Sequence, residues 1–238
     1  MAREECEGGL IQFEVQGKWG FADIYTGKIV IKPTWDFAGP FYHGYAHVAL
    51  GVELEIDKNA NVYMQGGNHG YIDTTGEIAI PIDYHDAEDI PYRQYFVVAR
   101  DGKWGIIDRE NMTLLPFQWD SLRTSYEHHL IFCRLDFPVP EATKDYTRNW
   151  KWGVYDNNFQ LIVEPELDEG PYNLVIKASP RSRNSRGYRE YLILQKGKKY
   201  GVLCKDGRLI ANVELTKRQV KAMINLICGQ SLAGSLYL

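Results

Sequence analysis

Four cysteines in 238 residues, Cys6, Cys133, Cys204 and Cys228, are too few and too scattered to form a CxxC pair or a His-linked ligand set. They read as reduced thiols, which excludes a disulfide scaffold and the familiar zinc sites. Long apolar runs are missing too. Nothing approaches the ~18 residues of a membrane span, and the opening MAREECEGGL has no signal-peptide apolar core. No membrane partner and a cytoplasmic address are therefore expected. Charge of one sign is also lacking: 27 Lys and Arg against 31 Asp and Glu leave a net charge of -4, which argues against nucleic acid as a partner.

Catalytic signatures are absent as well. The chain contains no GxSxG, P-loop or dinucleotide fingerprint. Gly66-Gly67-Asn68-His69-Gly70 is glycine-rich but precedes a strand pattern, whereas a phosphate cradle opens a helix. No nucleophile, base and orienting group can be named together, so neither an enzyme nor a cofactor is expected.

What the chain does have is repetition. The phrase GKWGFAD at Gly17 to Asp23 returns as GKWGIID at Gly102 to Asp108. Looser copies bring the number of repeats to five. Their anchor positions are Trp19-Gly20, His69-Gly70, Trp104-Gly105, Trp152-Gly153 and Tyr200-Gly201. An aspartate follows three residues later in four of them, at Asp23, Asp73, Asp108 and Asp156, with Cys204 in the fifth. Just beyond stands a residue that tolerates positive φ: Gly27, Gly76, Asn111 or Gly207, with Asn157-Asn158 in the fourth repeat.

This pairing has a physical reason. Aspartate accepts a hydrogen bond from the amide two residues on, and Gly or Asn closes the tight turn. Short apolar runs such as Ile29-Val30-Ile31 and Leu161-Ile162-Val163 then read as buried strands. The prolines that follow, Pro33, Pro81, Pro116 and Pro165, are expected to end the ladder because proline cannot donate. Each repeat is thus an antiparallel meander, in which the tryptophan fills the core and the glycine permits a close approach of another backbone or ring.

These phrases resemble the WG, or KWG, repeat family of bacterial proteins over roughly Gly17 to Asn212. The resemblance implies an all-β, repeat-built architecture beside varied partners, and carries no set of catalytic residues. The expected fold is a propeller-like or solenoidal array of about five antiparallel β units, whether closed or open. It forms one domain over 1–238, with repeats starting near 10, 60, 95, 130 and 190. Leu215-Thr216 with Gln219 and Val220 makes a capping box and staple, predicting a C-terminal helix over about 216–228 with Val220, Met223, Ile224 and Ile227 on one face.

Few residues stand out as sites. His43 and His47 have the HxxxH spacing of helical metal ligands, but the local pattern is strand, where four residues span about 13 Å. His128-His129 reads as a surface or turn pair, and Glu164, Glu166, Asp168 and Glu169 as an acidic edge. The strongest departure from the repeat is a basic insertion carrying Arg181, Arg183, Arg186, Tyr188 and Arg189, with Lys196, Lys198 and Lys199 close behind in sequence. Arginine forks suit phosphate or carboxylate.

The function expected from these features is a non-enzymatic protein–protein interaction module. It presents Tyr42 to Gly67, Asp136 to Asn149 and Arg181 to Arg189 to another protein. The alternative is a receptor for an anionic small molecule, with Trp35, Tyr84 and Trp119 lining a central concavity.

Overall fold

A computed structural model describes residues 9–56, 62–88, 94–125, 130–138, 149–170, 175–178 and 189–228. Among them the chain makes five antiparallel sheets in succession. The first contains β1 (Leu10–Val15), β2 (Lys18–Asp23) and β3 (Ile29–Trp35). The second contains β4 (Phe37–Ala38) and β5 (Tyr45–Leu50), then, after a separate hairpin of β6 (Glu53–Ile56) and β7 (Val62–Gln65), β8 (Asn68–Asp73) and β9 (Ile78–Tyr84). The third holds β10 (Asp86–Ala87), β11 (Phe96–Arg100), β12 (Lys103–Ile107) and β13 (Thr113–Trp119). The fourth holds β14 (Ser121–Ser125), β15 (Leu130–Asp136), β16 (Trp150–Asp156) and β17 (Leu161–Leu167). The fifth holds β18 (Val175–Ala178), β19 (Arg189–Lys196), β20 (Lys199–Cys204) and β21 (Leu209–Leu215), followed by α1 (Lys217–Cys228).

The expected meander of about five repeats with a short C-terminal helix is therefore present. Each sheet is one repeat, with its outermost short strand placed just after the preceding sheet's last strand. The chain divides into two compact units, Met1–Gln118 and Trp119–Leu238.

The turns behave as the aspartates required. Asp23 Oδ1 accepts the amides of Tyr25 and Thr26, and Asp73 Oδ1 those of Thr75 and Glu77. Asp108 and Asp156 do the same for Glu110 and Met112, and for Asn158 and Gln160. The left-handed position falls on Gly27, Gly76, Asn111 and Gly207. In the fourth repeat it falls on Phe159, at φ 61°, and not on Asn157 or Asn158. There the turn geometry is imposed by the two hydrogen bonds to Asp156, and the side chain's own preference is overridden.

The prolines do not end the ladder. Trp19 pairs with Trp35 and Phe21 with Ile31, so the three residues Lys32-Pro33-Thr34 stand opposite Gly20 alone. The same three-against-one bulge places Pro81 opposite Gly70 and Pro165 opposite Gly153. A bulge is where a strand tolerates a residue without an N–H.

The bulge also explains the glycine. A Cβ on Gly20 would lie 2.6 Å from both Ile31 O and Pro33 N, and one on Gly70 2.5 Å from Pro81 O. The bulged backbone occupies the place a side chain would take.

Within Met1–Gln118, one core cluster joins the first two sheets through Phe21, Ile31, Trp35, Ala38, Phe41, Val48 and Ile72. Another joins the second and third through Tyr71, Ile80, Tyr84, Phe96 and Ile107. Within Trp119–Leu238, Phe132, Trp152, Val154, Leu192 and Leu203 join the fourth and fifth. Trp152 fills the core as expected, whereas Trp19 and Trp104 are only half-buried.

Helix α1 covers the fifth sheet with Val220 and Ile224 buried and Met223 partly so. Its N-terminus is the expected capping box: Gln219 Oε1 accepts from the Thr216 amide at 2.8 Å, and the Gln219 amide reaches Thr216 Oγ1 at 3.4 Å. Ile227 lies on the helix, but its side chain is outside the described set.

Candidate functional site

The repeat aspartates are committed to structure. The Thr26 amide holds Asp23 below the usual carboxylate range. At Asp73 burial opposes ionisation, but the Thr75 hydroxyl and amide outweigh it and the net shift is downward. Carboxylates so held serve turns and are poor proton acceptors at neutral pH.

A second series of residues, three acids and a histidine visible in the sequence as Trp35-Asp36, Tyr84-His85, Trp119-Asp120 and Leu167-Asp168, has a role that pattern alone did not reveal. Each reaches from the end of one repeat to the next repeat's hairpin. Asp36 Oδ2 accepts the Gly51 amide at 2.7 Å, His85 Nδ1 the Asp101 amide at 3.1 Å, and Asp120 Oδ2 the Asp136 amide at 2.8 Å. Asp168 likewise accepts from Gly197.

The lysine of the repeat phrase completes the joint. Lys18 Nζ meets Asp36 at 2.6 Å, and Lys151 meets Asp168. The Lys18 ammonium lowers Asp36, with the Gly51 amide helping. Burial works against Asp168, but Lys151 and Gly197 bring it down. The acidic edge is thus partly neutralised, since Lys196 also pairs with Glu166.

Where the second repeat has histidine in place of tryptophan, the structure places a buried polar pair. His47 Nε2 lies 3.0 Å from His69 Nδ1, and His69 Nε2 lies 3.2 Å from Gly66 O. The two side chains are 0% and 3% exposed. A carbonyl only accepts, so His69 carries a proton on Nε2, and its Nδ1 shares a hydrogen bond with His47 Nε2. The His47 ring lies against Phe37 and Tyr71.

His43 is not on the strand with His47; it occupies the turn before β5 at φ 53°. Neither the spacing nor the strand reading anticipated His47–His69. The signal was present only as the substitution at position 69 of an otherwise regular phrase.

Other candidates change standing. Trp35, Tyr84 and Trp119, expected to line a concavity, are buried, and Tyr84 donates from its hydroxyl to Asn111 Oδ1 at 2.6 Å. Cys133 is buried and its thiol is pushed up to about 12 by that burial, which makes it unreactive.

Arg181, Arg183, Arg186 and Tyr188 lie outside the described residues, as do His128 and His129; Arg189 opens β19, but its side chain is not described. Lys196 ends β19, about 23 Å along the strand from Arg189, and Lys199 opens β20, where its Nζ donates to Glu214 O.

The insertions are better defined at their bases. Leu50 pairs with Asn68 beneath residues 51–67, and Asp136 with Trp150 beneath residues 137–149. In repeats one, three and five the same junction is a two-residue turn, as at Val15↔Lys18, Arg100↔Lys103 and Lys196↔Lys199. The first insertion contains β6 and β7 as a hairpin of its own. The second is held by Asn149 Nδ2, which donates to the carbonyls of Phe137 and Pro138.

Comparison with known proteins agrees with the repeat pattern. The family model described as "WG containing repeat" matches residues 19–51, 70–104 and 152–171. No curated protein matches the chain. Among solved structures, one match is "Dihydro-heme d1 dehydrogenase NirN in complex with DHE", at 13% identity and a TM-score of 0.37. It spans 87% of this chain and 44% of that one. No helix among the described residues is long and apolar enough to cross a membrane.

Proposed function

The chain carries WG repeats, and on that premise we propose that it is a non-enzymatic interaction module in the cytoplasm whose partner is another protein. The observation behind this reading is that the two insertions are closed off at their bases. Leu50↔Asn68 and Asp136↔Trp150 pair in register, so each insertion leaves and rejoins its sheet at a paired hairpin base. Loops carried on a paired sheet scaffold are where binding residues concentrate. Arg181, Arg183, Arg186 and Arg189 add a second contact, suited to carboxylates on the partner.

The test replaces residues 51–67 and 137–149 each by a two-residue Asp-Gly turn, copying the third repeat. The shortened chain is expected to melt within roughly 5 °C of the full chain and to lose a purified partner's affinity by about tenfold or more. Unchanged binding of every partner identified with the full chain would overturn the reading.

A further inference from the structure

Four of the five sheets share a joint that clamps a hairpin at two points. The amides of Asp36, His85, Asp120 and Asp168 donate to the carbonyls of Ala49, Ala99, Arg134 and Gln195 at 2.9 to 3.0 Å. The side chains of the same four residues accept the amides of Gly51, Asp101, Asp136 and Gly197, each two positions further on. In the second, third and fourth sheets a short strand then continues antiparallel to the hairpin strand. Ala38 stands opposite Val48, Ala87 opposite Val98 and Leu122 opposite Cys133, and all six are buried.

The first sheet has three strands among the described residues, with β1 at its edge, and it carries only the hairpin half of this joint. By register Glu14 takes the place of Ala49, Gln16 that of Gly51 and Phe13 that of Val48. The two-residue turn makes Val15↔Lys18 the hydrogen-bonded pair, so alternation turns the N–H and C=O of Glu14 and Gln12 away from β2. Among the described residues the Glu14 carbonyl and the Gln16 amide have no partner. Nor has the Gln12 carbonyl, the counterpart of the His47 carbonyl that accepts from Gly39.

This edge lacks the usual devices that blunt one. Leu10–Val15 pairs with β2 without a bulge and contains neither lysine nor proline. Apolar surface lies along it: Ile11 is 43% and Val15 50% exposed, and Phe13 is half-buried. In the other four sheets the counterparts of Phe13, namely Val48, Val98, Cys133 and Leu194, are buried.

We propose that the edge of β1 binds an extended segment of a partner protein, which adds antiparallel as the sheet's fourth strand. The joint specifies three consecutive residues of that segment. The first is aspartate, which donates its amide to Glu14 O and accepts from the Gln16 amide on its carboxylate. The second stands opposite Glu14, an exposed acid, in the place that Phe37 holds opposite Ala49, and is lysine or arginine. The third faces Phe13 and is alanine or leucine, as at Ala38, Ala87 and Leu122. A second copy of this chain does not supply the pattern from its own edge strand, since Leu10–Val15 contains neither aspartate nor a basic residue. The site shares no residue with the insertions at 51–67 and 137–149, so it holds whether or not they bind.

The probe is the peptide acetyl-Ser-Asp-Lys-Ala-Val-Thr-amide, titrated into the full chain and followed by NMR at the backbone amides of Gln12, Glu14 and Gln16. All three resonances are expected to move, with a dissociation constant below about 1 mM. At saturation, amide exchange at Gln12 and Glu14 should slow by about tenfold or more. Replacing the peptide's aspartate with alanine should weaken binding by about fivefold or more, through loss of the charge-assisted bond to Gln16.

The exposed Glu14 tests the register. Glu14→Lys should reverse the preference at the peptide's second position, so that glutamate there binds better than lysine by about threefold or more. An unchanged preference would place the peptide elsewhere and overturn the proposal. Equal binding of the aspartate and alanine peptides would do the same, as would no shift at about 5 mM peptide. Slow exchange at Gln12 and Glu14 without peptide also counts against it: if it persists on dilution the chain covers the edge itself, and if it is lost on dilution a second copy does.

Discussion

The second and fourth sheets place different chemistry in one slot. Both have a four-stranded order, a bulge carrying proline, and an insertion at the same hairpin. In the fourth, the slot opposite Leu167 holds Trp152, buried with Arg134 4.9 Å from the neighbouring Trp150 ring and 5.8 Å from its own. In the second, the slot opposite Tyr84 holds His69, bonded to His47 and to Gly66 O. The repeat therefore demands volume and contact at this position, and a polar ring is admitted when a second strand supplies its hydrogen-bond partner.

The largest effect should come from emptying the apolar version. Trp152→Ala is expected to cost about 3–5 kcal/mol, measured by denaturant unfolding, since it leaves a cavity between the fourth and fifth sheets.

Filling the glycine next to the slot separates the two sheets in the opposite sense. A Cβ at Gly70 comes within 2.5 Å of Pro81 O, against 2.9 Å from Val163 O at Gly153. Gly70→Ala should therefore cost about 3 kcal/mol and Gly153→Ala nearer 1–2 kcal/mol.

His69→Ala should follow at about 1–3 kcal/mol, the penalty for taking the hydrogen-bond partner from the buried His47 Nε2. His69→Trp restores the repeat residue yet strands the same nitrogen. It should destabilise alone and improve when combined with His47→Val. A double variant less stable than His69→Trp would show that the slot in the second sheet is shaped for histidine.

The smallest effect is electrostatic. Asp36 and Asp168 have folded pKa values below their unfolded ones, so their ion pairs stabilise the chain fully above the ordinary carboxylate value of about 3.9. That stabilisation is lost as pH falls through the lower, folded values. Melting temperature should decline below about pH 4, and Asp168→Asn should flatten part of that decline.

Much of this architecture was legible in the sequence because hairpin chemistry is local. Asp108 and Asn111, or Asp73 and Gly76, specify a turn from within it. The bulge was not legible. Proline at position 33 looks like a stop until Gly20, thirteen positions earlier, is seen to receive it, and that relation is long-range. Phe159 at positive φ escaped for the converse reason: nothing in phenylalanine favours the conformation, which Asp156 imposes.

The site was less legible still. The His47–His69 pair joins residues on different strands, and the insertions that look alike as irregular polar text differ in fact. Two share one hairpin junction of the meander, while the arginine-bearing one follows β18.

The lysine of the phrase, present in four of the five repeats, gives the array a direction. Lys18 and Lys151 each pair with the aspartate that ends their own repeat, and that aspartate also accepts a hairpin amide of the following repeat, so the joint is complete only with a successor. After β21 the chain turns into α1, and the Lys199 ammonium settles on the Glu214 carbonyl. A gene lengthened by internal duplication would copy both halves of the joint and could grow at any interior boundary.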